Sequence, residues 1–114
     1  MAELIVITLE RQGAKSIKPR PDERTHDELT SVPAGSQVKF VPAGGIIGTD
    51  ITFKGRSPFG AQPVAYNVVL NVTAGFDAAN RSNNLYKYVC HGKALDGTAL
   101  DSDGGGGDVE IVRA

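Results

Sequence analysis

The sequence predicts an all-β fold: a Greek-key β-sandwich of about seven short strands, in one domain spanning residues 1–114. Three observations lead there. Strand-like patterns recur at 3–9, 36–41, 50–54, 64–72, 85–91 and 108–112, whereas only 75–84, GFDAANRSNN, could hold a helical turn, and its Asn and Gly content keeps that turn brief. The connectors are turn-rich: Pro33-Ala34-Gly35-Ser36, Pro42-Ala43-Gly44-Gly45, Ser57-Pro58-Phe59-Gly60 and the long 92–107 segment. With three Tyr and four Phe, the core falls mainly to Val, Ile, Leu and Ala, which favours strands.

Taken in order, residues 3–9 are a continuous apolar run suited to a strand buried on both faces. Segment 36–41 alternates with Val38 and Phe40 on one side, and 50–54 repeats this with Ile51 and Phe53. The clearest alternation is 64–72, where Val64, Tyr66, Val68, Leu70 and Val72 line one face. Tyr86, Tyr88 and Cys90 share a face of 85–91, and Val109 and Ile111 pair on 108–112. The expected core of two antiparallel sheets is therefore Val38, Phe40, Ile51, Phe53, Val68, Leu70, Tyr88, Val109 and Ile111. Between Arg11 and Arg24, five cations alternate with few apolar residues, and Lys18-Pro19-Arg20-Pro21 favours an extended backbone. This reads as a mobile basic loop. Asp22, Glu23, Asp27 and Glu28 cancel its field beyond a Debye length of about 8 Å, so it is a solvated connector rather than a binding arm.

Composition removes several function classes. A net charge of −1 gives no global attraction to nucleic acid, and no apolar run approaches the roughly 20 residues of a membrane span. A lone cysteine cannot form an intrachain disulfide. Residues 1–10 lack the basic leader of a secretory signal, although Met1-Ala2 could stand where a leader was replaced. There is no G-x-S-x-G, and Gly104 to Gly107 precede a strand rather than the helix N-terminus that would hold phosphate, so the chain is not expected to be an enzyme. Asn71-Val72-Thr73 and Asn80-Arg81-Ser82 fit the glycosylation acceptor pattern and would matter only in a secreted eukaryotic protein.

Four segments in order, "SVPAGSQVKFV" at 31–41, "DITF" at 50–53, "YKYVC" at 86–90 and "GDVEIV" at 107–112, resemble the strand motifs of the cupredoxins, the blue-copper β-sandwiches. The resemblance implies a cupredoxin-like fold, with relatives usually periplasmic or extracellular. It places Cys90 at the copper thiolate position and Asp50 where the first histidine would stand, while His91 directly follows the cysteine and no Met follows at all. A blue-copper centre needs two imidazoles and a thiolate in a plane. On an extended 85–91 segment, Cys90 and His91 point to opposite faces.

The residues thus imply a cupredoxin-like module without a complete type 1 copper site, non-enzymatic, binding a protein or small ligand. Two alternatives stand beside it. One is a copper-binding, electron-transfer or copper-handling protein using Cys90 and His91, with Asp50 as a further candidate ligand. The other is a calcium-stabilised interaction domain using Asp96, Asp101, Asp103 and Asp108, whose oxygen ligands at D-x-D spacing before glycine suit calcium, although counting from Asp101 puts Val112 where an EF-hand needs Glu. No cofactor is expected. Cys90 is expected to be a buried, inert thiol, and His26, in a charged loop, no ligand.

Overall fold

A computed structural model describes residues 3–13, 16–101 and 106–114. These form ten strands: β1 Leu4–Gln12, β2 Ser16–Pro19, β3 Thr25–His26, β4 Leu29–Pro33, β5 Gln37–Pro42, β6 Ile46–Phe53, β7 Val69–Asn71, β8 Leu85–Ala94, β9 Ala99–Asp101 and β10 Gly107–Val112. A single 3-10 turn, Arg81–Asn84, is the helical element among the described residues. No helix among them is long and apolar enough to cross a membrane.

The strands build a two-sheet β-sandwich. One sheet has the order β2-β1-β5-β7, and the other has the order β3-β4-β10-β8-β6 with β9 on the distal half of β8. The sheets are mixed rather than antiparallel as expected, because β1 runs parallel to β5 and β4 parallel to β10. Each parallel pair joins strands that are separated in the chain by a passage through the opposite sheet, which allows the returning strand to run in the same direction.

Alternation places the core. Val38, Phe40, Ile51, Phe53, Tyr88, Val109 and Ile111 are buried as expected. Phe40, Phe53, Phe59 and Tyr88 form a ring cluster, with Phe40 and Tyr88 centroids 5.3 Å apart and Phe53 and Phe59 5.6 Å apart, mostly edge to face. Phe59, read from sequence as part of a turn, anchors that turn in the core.

Four expectations are corrected. The 64–72 segment is not one strand. Val64 bridges Ile51 of the six-stranded sheet, whereas Val69–Asn71 pairs with β5 of the other, so the chain crosses between sheets at this point. Asn67 makes the turn with φ 61°, a left-handed conformation that Asn tolerates, and the alternation breaks there. Val68 therefore leaves the core, at 46 % exposure, and Leu70 is only partly buried. In β1, Leu4 and Val6 are exposed while Ile5, Ile7 and Leu9 are buried, because the outer face of the four-stranded sheet is uncovered. The basic segment is not a loop throughout. Its Ser16–Pro19 is a strand paired with β1, with Ile17 buried, and its cations face carboxylates: Lys18 with Glu28 at 2.7 Å, Arg20 with Glu10 at 3.0 Å, and Arg24 with Glu3. Such exposed pairs contribute about 0–1 kcal/mol each, so they neutralise the hairpin more than they stabilise it. Finally, residues 92–101 continue β8 and return as β9 through a tight turn, and Leu100 is buried.

Candidate functional site

The strands β6 and β8 bring the candidate residues Asp50, Cys90 and His91 onto neighbouring positions: Ile51 opposite Cys90, and Asp50 opposite His91 after a bulge between Gly48 and Asp50. Cys90 points into the core with no exposed surface, and His91 takes the opposite face, as the alternation predicts. His91 Nε2 lies 4.0 Å from Asp50 Oδ1, beyond hydrogen-bonding distance. Among the described residues, no three His, Cys, Asp or Glu side chains are placed to hold one metal ion.

Tyr66 caps the thiol instead. Its ring lies directly over Gly48, where a Cβ would come within 2.4 Å of the ring atoms, so only glycine admits it. The Tyr66 hydroxyl is buried and faces Cys90 and Asp50 without a nitrogen or oxygen partner. Burial, then the neighbouring Cys90 and Asp50, push its phenol well above the ordinary value. Tyr88, also fully buried with an unpartnered hydroxyl, is raised for the same leading reason, with Cys90 and Asp108 adding to it. Sequence reasoning missed Tyr66 because it read 64–72 as continuous strand. The expected chemical consequence is an inert thiol: native protein should label slowly with a thiol reagent and rapidly once unfolded in denaturant, and fast native labelling would contradict the burial.

The calcium candidates are dispersed. Asp96 sits in the β8–β9 turn and accepts the Thr98 N–H at 2.9 Å, and its hydrogen bonds from Thr98 hold its carboxyl below the usual range. Asp108 pairs with Lys87 at the other end of β8, roughly 24 Å from Ala94 at about 3.4 Å per strand residue, so the two cannot share an ion. The Asp101 backbone pairs with His91, and Asp103 lies outside the described residues. His26 stands exposed on β3, opposite Leu29.

A second location was not anticipated. A cleft of about 500 Å³ is lined by Arg56, Thr73, Ala74, Asp77, Asn83 and Tyr86. The Arg56 guanidinium lies 4.6 Å over the Tyr86 ring and donates to the Asn83 carbonyl. Asp77 Oδ1 accepts from the Ala79 and Asn80 N–H groups at 2.8 and 3.2 Å, and Oδ2 accepts from Asn83 Nδ2 at 2.8 Å. The Asn83 amide foremost, with these backbone donors, keeps the carboxyl below its usual range. Buried Asn84 closes the loop on both sides of Asp77, accepting from its N–H and donating to its carbonyl. A signal for this loop exists in the sequence, since Asp77, Asn80, Asn83 and Asn84 are of the residue types whose short polar side chains bond nearby backbone in place of regular structure. No family model, curated protein or solved structure matches the chain.

Proposed function

We propose that this chain is a cupredoxin-like Greek-key sandwich that lacks a complete type 1 copper site and acts as a non-enzymatic binding module. One observation carries the reading. At the thiolate position of the resemblance, Cys90 is fully buried beside the Tyr66 hydroxyl, with Asp50 in place of an imidazole and His91 on the opposite face. A blue-copper centre requires two imidazoles in the plane of an accessible thiolate. Further support comes from the order of the quoted motifs, which fall on β4–β5, β6, β8 and β10.

The test is copper(II) titration of the purified chain. No intense thiolate-to-copper colour is expected. A stoichiometric, strongly coloured complex that vanishes on Cys90→Ser would replace this reading with electron transfer.

A further inference from the structure

We propose that the Arg56–Asp77 cleft binds a neutral polyhydroxylated ligand, a carbohydrate of pyranose size; this rests on the binding-module reading and gives it a ligand class. The volume of about 500 Å³ lies in the range of small-molecule sites, about 300–1,000 Å³. The polar groups at its wall are fixed before any ligand arrives. Arg56 is held between the Tyr86 ring and the Asn83 carbonyl, and Asp77 is held by three donors from its own loop. Arg81 ties the loop to the sandwich, donating from Nε to Glu110 at 2.9 Å. A loop anchored this way loses little conformational freedom on binding.

Charge and hydrogen-bonding capacity then select the ligand. The lining carries one cation, Arg56, and one carboxylate, Asp77, whose opposite charges balance, so no net charge on the ligand is called for. The guanidinium fork has N–H groups beyond the one directed at Asn83, and Asp77 Oδ2 accepts one hydrogen bond and keeps a lone pair. Adjacent hydroxyls satisfy both, because each donates and accepts. An apolar ligand would strand these groups, at a cost of about 1–3 kcal/mol for each one left unpaired.

Amide NMR spectra of the full chain, titrated with a panel of methyl pyranosides of the common hexoses and separately with glycine and sodium phosphate, test this. At least one pyranoside should give saturable shifts confined to the Thr73–Asp77 segment, Asn83 and Tyr86. Arg56→Lys, which keeps the charge and removes the fork, should weaken binding about tenfold or more, and Asp77→Asn likewise. The proposal is overturned if no pyranoside moves these amides, if glycine or phosphate saturates them instead, or if Arg56→Lys binds as the parent does. Should Asp77→Asn disturb the loop itself, Arg56→Lys decides, since Arg56 is exposed, its hydrogen bond to the loop is the one at the Asn83 carbonyl, and the bonds that hold Asp77 come from Ala79, Asn80, Asn83 and Asn84. Copper colour would remove the broader reading without moving these amides, and absent sugar binding would leave the copper result as it is.

Discussion

Raising the pH above about 10 is expected to unfold the protein, with stability falling by about 2.7 kcal/mol per pH unit. The figure is two protons at about 1.36 kcal/mol per unit each. Tyr66 and Tyr88 are the two groups, both raised from 10.0, chiefly by burial. Above that pH the unfolded chain releases both phenol protons while the folded chain retains them. The native state therefore binds more protons than the unfolded state, and stability must fall as pH rises. The contribution is whole below the unfolded value and is lost as pH climbs toward the folded one. A domain of about 5–15 kcal/mol stability would lose the lower figure within about two units. Denaturant unfolding across this pH range, followed together with tyrosinate absorbance, gives the slope. The Tyr66 and Tyr88 phenolates should appear only as the strand signal disappears, and Tyr88→Phe should halve the slope. Ionisation of both phenols near pH 10 in a chain that stays folded would count against their burial.

What the sequence disclosed follows the range of the forces involved. Val38 and Phe40, or Tyr86, Tyr88 and Cys90, are visible because a two-residue period is local and one face of each strand is buried. Val68 was misplaced by a single backbone choice at Asn67, which a hydrophobicity pattern does not register. β2 was hidden because a strand on a sheet edge needs little apolar content: Ile17 is its fully buried apolar residue, between Ser16 and Lys18. The parallel pairings were not legible, since they join strands such as Leu4–Gln12 and Gln37–Pro42 through contacts that no local pattern encodes. The opposite faces of Cys90 and His91 were predictable for the reason β8 was. The cleft was not, because Arg56 and Asn83 lie 27 residues apart and meet only when β6 and β8 are aligned.

Gly107→Ala is expected to destabilise the fold by about 3 kcal/mol, the upper part of the range for overpacking a core. From sequence Gly107 ends the long 92–107 connector, yet it is buried at the start of β10, opposite Tyr88. A Cβ there would lie 2.6 Å from the Tyr88 hydroxyl oxygen, 2.8 Å from its Cζ and 3.0 Å from the Glu28 carbonyl oxygen. None of these can retreat easily. The Tyr88 ring is wedged between Phe40 and Phe53, and the Glu28 carbonyl is fixed by the Asp108 N–H at 2.8 Å. For a domain of this size, 3 kcal/mol corresponds to a fall in Tm of roughly 10–20 °C. The double variant identifies the cause. Tyr88→Phe alone removes a buried hydroxyl without a partner and should be neutral or slightly stabilising. Combined with Gly107→Ala it removes the nearest clashing atom, so the pair should be more stable than the sum of the single effects by about 1 kcal/mol or more. Thermal melts of the four proteins measure this coupling. Strict additivity would mean that Gly107 answers to the Glu28 backbone rather than to Tyr88, and a Gly107→Ala melt equal to the parent's would place β10 farther from β8 than the pairing of Gly107 with Tyr88 requires.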